Sequence, residues 1–123
     1  MARILLIDDE HGTRRTLQLA LENAGHSVAL AEDGDDGLAL DVELTFDIVV
    51  TDMLMPGRSG SDVIMELIRR RPARHIIAMS GLDFGTRTDL LELARGLGAN
   101  HTLEKPFLAK NLVAAVTDCL APA

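Results

Sequence analysis

Residues 46–52 read FDIVVTD, an apolar run that ends in a threonine and an aspartate. A short apolar run rich in β-branched residues is typical of a strand that is covered on both faces of a sheet. Residues 4–7 read ILLI and residues 76–79 read IIAM, so the same form occurs at two other places in the chain. The sequence therefore predicts three buried strands, and residues 26–30 and 99–103 form two weaker strand patterns.

Stretches with helical periodicity separate these strands. Apolar residues recur at i, i+3, i+4 and i+7 between the first two strands. Gly25 follows them and is expected to end this helix in a left-handed backbone conformation. Ser61 is the expected N-cap of the third helix, and Pro72 stops that helix. The predicted inward faces carry Leu17, Ala20, Leu21 and Ala24; Leu38 and Val42; Val63, Ile64, Leu67 and Ile68; Leu90, Leu93, Ala94 and Leu97; and Leu108, Leu112, Ala115, Val116 and Cys119.

Five alternating strand and helix units predict an α/β fold with a parallel sheet. Right-handed crossovers make a doubly wound sheet the natural solution, with helices on both faces. We expect one domain over residues 1–123, built as a single five-stranded parallel sheet with five helices. The flavodoxin-like strand order 2-1-3-4-5 is the expected one, although the pattern alone does not determine it.

Composition excludes several classes of function. The chain has 123 residues and a formal net charge of -7, which argues against a nucleic-acid surface. The basic run Arg69–Arg71 falls at the end of a predicted helix, where cations are favourable. No apolar run approaches the roughly 20 residues that span a bilayer. Cys119 is the only cysteine, which excludes an internal disulfide and fits a reducing cytoplasm.

Polar side chains follow four of the predicted strands. Asp8 and Asp9 follow the first, Asp52 ends the third, Ser80 follows the fourth and Lys105 comes after the fifth. Each of these residues alone is an ordinary turn or surface residue. In a parallel sheet, however, binding sites lie outside the carboxyl ends of the strands, so we expect the five side chains to meet at one edge.

Such a cluster needs positive charge. Two carboxylates about 5 Å apart repel by roughly 3 kcal/mol at an effective dielectric near 20. Lys105 can supply one positive charge, and a divalent cation supplies more. Mg²⁺ prefers oxygen ligands and keeps phosphate oxygens in its shell. An aspartate beside Mg²⁺ and a lysine is therefore well placed to attack a phosphoryl group and form an aspartyl phosphate.

At these positions the chain resembles the receiver domains of two-component systems. The match includes Asp8-Asp9-Glu10 after the first strand, residues 47–60, which read DIVVTDMLMPGRSG, and Ser80-Gly81 after the fourth strand. It ends with Gly98-Ala99, which leads to Lys105-Pro106-Phe107. The resemblance covers essentially the whole chain, and its combination of motifs is highly specific.

The resemblance implies a Mg²⁺ site and a phosphoacceptor. Asp52 would accept the phosphoryl group, Asp9 would bind Mg²⁺ directly and Asp8 would bind it largely through water. The backbone carbonyl of Leu54 would complete the metal site. The donor would be a phosphohistidine of a sensor histidine kinase or a histidine phosphotransfer protein.

The resemblance also gives roles to the last two strand ends. Ser80 would hydrogen-bond a phosphoryl oxygen, and Lys105 would form an ion pair with it. The chain would catalyse only its own phosphorylation and dephosphorylation, and it would change its affinity for an unknown downstream protein. The Lys105-Pro106 bond would be cis, whereas the frequency of cis X-Pro bonds, about 5–6%, favours trans.

The chain departs from the family pattern at several positions. Thr102 stands where the family usually has an aromatic ring that moves inward on activation. Phe84 could replace that ring, but ordinary packing is the favoured role for it. Leu54 and Leu82 lie two residues beyond Asp52 and Ser80, respectively. Because neither leucine can orient a water molecule by hydrogen bonding, we expect slow self-dephosphorylation.

Two other readings of the motifs are weaker. A haloacid-dehalogenase-type enzyme also uses a strand-end aspartate with Mg²⁺, but it needs a second acid at the position of Leu54. A flavodoxin-like cofactor binder needs a phosphate-cradling loop and aromatic stacking residues, and the chain has no Trp or Tyr.

The histidines lack metal-ligand spacing and are expected at the surface or in loops. Met1 directly before the first strand fits a stand-alone receiver or the N-terminal receiver of a longer protein.

Overall fold

The computed structural model describes residues 1–81 and 87–122, with the backbone alone for residues 87–89. The described residues alternate five strands with five helices. The strands are β1 (Arg3–Ile7), β2 (Ser27–Ala31), β3 (Ile48–Asp52), β4 (His75–Ser80) and β5 (His101–Glu104). The helices are α1 (His11–Asn23), α2 (Gly34–Glu43), α3 (Gly60–Arg70), α4 (Arg87–Leu97) and α5 (Ala109–Leu120).

The strands form one parallel sheet in the order β2-β1-β3-β4-β5. Ile4 of β1 lies beside Val28 of β2 on one side and beside Ile48 of β3 on the other. The α/β fold class, the doubly wound sheet and the strand order are therefore confirmed. The sheet aligns the carboxyl ends of all five strands along one edge, which is the edge that carries the predicted cluster.

Hydrophobic side chains pack on both faces of this sheet. Along β1, Ile4 and Leu6 point to one face and Leu5 and Ile7 to the other, as the pleat of a strand requires. Helices α1 and α5 cover the first face, and α2, α3 and α4 cover the second. Cys119 lies in the first of these cores as a buried thiol, which confirms its predicted structural role.

The start of α3 differs from the prediction. The N-cap is Ser59, whose side chain accepts a hydrogen bond from the Asp62 backbone N–H at 3.2 Å, so the prediction of Ser61 is wrong. The cause is a close backbone contact: Gly60 N–H donates to the Met53 carbonyl at 3.1 Å. This contact makes the helix begin directly beside the end of β3, and it brings Gly60 next to the backbone of Asp52.

Some predicted inward positions are exposed. Val42 is 73% exposed because its neighbour Asp41 occupies the buried position in the last turn of α2, where it pairs with Arg70 and Arg74. Leu93 is 46% exposed on α4. Ala24 and Leu108 are also exposed, because Ala24 is the C-cap of α1 and Leu108 precedes α5.

The arginine run and the histidines have structural roles. Arg69 and Arg70 lie in the last turn of α3 and pair with Glu66, which confirms the placement of this run at a helix end. His75 and His101 are the partly exposed first residues of β4 and β5. Among the helices of the described ranges, none combines the length and the apolar character that crossing a membrane requires.

Candidate functional site

Strand ends bring the predicted polar residues together. Asp8 directly follows β1, Asp52 is the last residue of β3, Ser80 is the last residue of β4 and Lys105 directly follows β5. Lys105 N–H donates to the Ser80 carbonyl at 2.7 Å, which joins the ends of β4 and β5. Asp8 and Ser80 have no exposed surface and Asp52 is 6% exposed, so the cluster is a buried polar site.

The Lys105 ammonium lies between two carboxylates. Its Nζ is 2.8 Å from Asp8 Oδ2 and 3.0 Å from Asp52 Oδ2. Asp8 follows β1 and Lys105 follows β5, and β3 and β4 lie between these two strands in the sheet, so the Lys105 side chain reaches across the carboxyl ends of the strands to Asp8. One cation therefore holds two acids that are far apart in sequence.

Backbone groups hold the remaining carboxylate oxygens. Asp8 Oδ1 accepts a hydrogen bond from Glu10 N–H at 3.0 Å, and Asp52 Oδ1 accepts one from Leu54 N–H at 3.3 Å. Thr51 Oγ1 donates to the Asp52 carbonyl at 3.0 Å. Both buried carboxylates are thus oriented by the loops that follow their strands.

Ser80 brings an unused hydroxyl to the cluster. Among the described residues, its Oγ is one of three buried side-chain polar atoms without a hydrogen-bond partner in the chain. A buried hydroxyl without a partner costs about 1–3 kcal/mol. Ser80 therefore places a donor where an oxygen of a ligand could accept it.

The pKa values of the central pair are shifted by burial and by mutual contact. Burial raises the pKa of the Asp52 carboxyl above its ordinary value; the Lys105 ammonium opposes this shift and the Asp8 charge adds to it. Burial alone would lower the pKa of Lys105, but its hydrogen bonds and charge interactions with Asp8 and Asp52 outweigh burial and raise it. These contacts therefore favour the protonated form of Lys105, and further positive charge near Asp52 would favour its ionised form.

Three carboxylates of the site suit a hard cation. Asp8, Asp9 and Asp52 each offer one oxygen, and these three oxygens lie within 4.8 Å of one another. Asp9 is exposed, whereas Asp8 and Asp52 are buried, so the group opens to solvent on one side. An all-oxygen set with an open side matches Mg²⁺, which uses a few carboxylates and keeps water molecules. The residues present thus fit the predicted ion.

The raised pKa of Asp52 has a consequence for stability. A carboxyl group whose pKa is higher in the folded than in the unfolded protein lowers the free energy of unfolding when it is ionised. This loss of stability appears as the pH rises from the ordinary pKa of 3.8 through the pKa of the folded state. We expect Asp52→Asn to be more stable than the wild type at pH 7 in Mg²⁺-free buffer. The difference should shrink as the pH falls. Urea unfolding of both proteins at pH 7 and pH 4.5 measures it, and an equal difference at both pH values would contradict the prediction.

The structure describes Thr102 and the Lys105–Pro106 bond among the positions compared with the family pattern. Thr102, which replaces the usual aromatic residue, accepts a hydrogen bond at its Oγ1 from Arg95 Nη2 at 2.6 Å. This contact links β5 to α4, and no pattern in the sequence predicts it. Leu82 and Phe84 lie outside the described residues. The Lys105–Pro106 bond is cis, as the resemblance implies and contrary to the general frequency.

Comparison with known proteins agrees with this geometry. The family model "Response regulator receiver domain" matches residues 4–117. Transcriptional regulatory protein AfsQ1 of Streptomyces coelicolor is 36% identical over 118 residues, which are 94% of this chain and 50% of that protein. Transcriptional regulatory protein ResD of Bacillus subtilis is 31% identical over 115 residues, which are 93% of this chain and 46% of that protein.

A solved structure gives the same result. The response regulator receiver domain protein from Clostridium thermocellum superposes with a TM-score of 0.89 at 34% identity and covers 98% of this chain and 94% of that one. The chain spans about half the length of the curated relatives that it matches. Sequence, fold and comparisons agree that the chain belongs to the response regulator receiver domain family.

Proposed function

We propose that this chain is a phosphorylation-activated signalling switch whose acceptor is Asp52. The donor is a phosphohistidine of a sensor histidine kinase or a histidine phosphotransfer protein. The observation that carries this proposal is the contact of Asp52 Oδ2 with Lys105 Nζ at 3.0 Å, beside the carboxylate group of Asp8 and Asp9. This arrangement combines a nucleophile, a fixed cation and a metal-binding group in one buried site.

Mg²⁺ would be held by the carboxylates of Asp8, Asp9 and Asp52, with the backbone carbonyl of Leu54 as a further ligand. When bound, the ion supplies positive charge that offsets the carboxylates and the oxygens of a transferring phosphoryl group. The fit rests on the three carboxylate oxygens within 4.8 Å. Asp8 is also held by Lys105, so water between Asp8 and the ion is consistent with our proposal.

Side chains of this protein make and stabilise the new bond in the phosphoryl transfer. An oxygen of the Asp52 carboxylate forms a bond to phosphorus while the bond from phosphorus to the donor nitrogen breaks, and the donor imidazole keeps that electron pair. Lys105 Nζ pairs with a phosphoryl oxygen as Asp52 loses its charge. The Ser80 hydroxyl, which has no hydrogen-bond partner among the described residues, donates to another phosphoryl oxygen. Such preorganised donors are the main source of catalysis in this class of reaction.

The output is a change in partner affinity. Phosphorylation adds charge at one buried position, and a local change of this kind can shift the equilibrium between two conformations of the protein surface. In this proposal residues 1–123 act as one receiver domain that works on its own phosphorylation and not on a separate substrate. We place it in the cytoplasm, which suits the buried free thiol of Cys119.

Labelling with a small phosphodonor tests the acceptor. Wild-type protein mixed with acetyl phosphate and Mg²⁺ should gain one phosphoryl group, seen as a single mass increase, and EDTA should prevent the gain. Asp52→Asn should take no label because the nucleophile is absent. Asp36→Asn, which changes an exposed carboxylate on α2, should label like the wild type. Unchanged labelling of Asp52→Asn would reject the proposed site.

The phosphorylated state should persist. Leu54 lies two residues beyond Asp52. The residue is 41% exposed, but its side chain has no group that can orient a water molecule. We expect Leu54→Asn to shorten the lifetime of the phosphoprotein about tenfold, which corresponds to about 1.4 kcal/mol in the barrier. Leu54→Met is the matched control. Loss of label after donor removal gives the rates, and a wild-type half-life of seconds would contradict the prediction.

A further inference from the structure

Asp8 is held at each of its polar groups. Its N–H donates to the Ala31 carbonyl at 3.2 Å, its Oδ1 accepts from Glu10 N–H at 3.0 Å and its Oδ2 accepts from Lys105 Nζ at 2.8 Å. Its carbonyl accepts from Arg14 Nη1 at 2.8 Å. The Arg14 contact is the one that comes from the helix after β1, and the function proposed above leaves it without a role.

Arg14 connects the end of β1 to the start of α1. While Nη1 binds the Asp8 carbonyl, Nη2 lies 3.3 Å from His11 Nδ1 at the first residue of the helix. The N-cap residue of α1, Glu10, makes no side-chain capping hydrogen bond. The Glu10 side chain instead accepts a hydrogen bond from Thr13 Oγ1 within the first turn of α1, so Arg14 supplies the side-chain contact that reaches from the helix back to Asp8. Asp8 and Asp9 lie in the junction between β1 and α1.

We propose that Arg14 is a positioning residue for the metal-binding group, and this inference rests on the proposed function. By holding the Asp8 carbonyl, Arg14 fixes the backbone from which the carboxylates of Asp8 and Asp9 project towards Asp52. The contact is a charge-assisted hydrogen bond, which is stronger than a neutral one. Groups that orient metal ligands typically change metal affinity by about 10- to 100-fold when they are removed.

The neighbouring arginine provides a matched control. Arg15 carries the same charge one residue later on α1, but its Nη1 donates to Gln18 Oε1 at 2.9 Å on the exposed surface of the helix. Replacing either arginine changes the net charge equally. A difference between the two variants therefore reports the Asp8 contact rather than the charge of the protein.

The test measures Mg²⁺ binding to the folded, unphosphorylated protein by calorimetry. We expect Arg14→Gln to weaken Mg²⁺ binding about tenfold and Arg15→Gln to leave it unchanged. At saturating Mg²⁺, Arg14→Gln should label with acetyl phosphate within about threefold of the wild-type rate, because Asp52, Ser80 and Lys105 are intact. General destabilisation would not produce this separation between Mg²⁺ affinity and labelling rate.

Arg14→Lys separates geometry from charge. A lysine keeps the charge, but its compact ammonium cannot reproduce the planar fork that reaches both Asp8 and His11. We expect its Mg²⁺ affinity to remain at least about threefold below that of the wild type. Wild-type affinity in Arg14→Lys would overturn the geometric role, and so would wild-type affinity in Arg14→Gln.

Failure of the inference and failure of the proposed function look different. If the wild-type protein neither binds Mg²⁺ nor accepts label at Asp52, the proposed function is wrong. If the wild type does both and the Arg14 variants match it, only the positioning role is wrong. Circular dichroism in EDTA confirms that each variant is folded at the temperature of the measurement, and Arg14→Lys remains as the milder variant if Arg14→Gln unfolds.

Discussion

Replacing Lys105 with methionine will slow phosphoryl transfer to Asp52 by about a hundredfold and lower the free energy of unfolding by about 2 kcal/mol in Mg²⁺-free buffer. Lys105 Nζ lies 2.8 Å from Asp8 Oδ2 and 3.0 Å from Asp52 Oδ2. Without the ammonium, two buried carboxylates face each other with no positive charge between them. The stability loss is smaller than for a fully buried pair because the Lys105 side chain is 20% exposed.

Mg²⁺ should reverse much of the stability loss and little of the rate loss. A divalent cation would compensate the charge of the carboxylates, but it would not supply the N–H donor that we propose Lys105 gives to a phosphoryl oxygen. Lys110→Met, on the exposed surface of α5, is the matched control and should behave like the wild type. Urea unfolding with and without Mg²⁺, together with labelling rates, measures both effects. Wild-type labelling in Lys105→Met would contradict the proposed role.

The sheet and its site could be predicted because they depend on simple rules. Strands such as β1 and β3 are covered on both faces, and their continuous apolar runs are visible in the sequence. Once the strands are parallel, their carboxyl ends must share an edge, and the residues that end them must be neighbours. This is why Asp8, Asp52 and Lys105 could be grouped without any measured distance.

Local packing could not be predicted in the same way. Asp41 replaces Val42 at the buried end of α2 because two arginines from elsewhere in the chain reach it, and no periodicity reveals such partners. The bond between Arg95 and Thr102 depends on which way a long side chain turns. The contact of Arg14 with a backbone carbonyl is of the same kind. The sequence pattern predicts which face a residue occupies, but not which distant polar group it meets.

Substituting alanine for Gly60 should destabilise the protein by about 3 kcal/mol and impair labelling of Asp52. A Cβ on residue 60 would lie 2.4 Å from the Asp52 carbonyl oxygen and 2.5 Å from the Met53 Cα. Both neighbours are backbone atoms, so no side-chain rotation can relieve the overlap. Either α3 moves away from β3 or the backbone of Asp52 moves, and the second displacement shifts the proposed phosphoacceptor.

Gly96→Ala is the matched control for this prediction. Within the described part of the chain, a Cβ at Gly96 would meet nothing within 4 Å, and the residue lies within α4, where alanine is favoured over glycine by up to about 1 kcal/mol. The same substitution should therefore stabilise the protein at one glycine and destabilise it at the other. Urea unfolding gives the two free energies, and labelling by acetyl phosphate reports the site. If Gly60→Ala is as stable as the wild type and labels normally, then α3 does not pack this closely against the end of β3, and the placement of Asp52 does not depend on that contact.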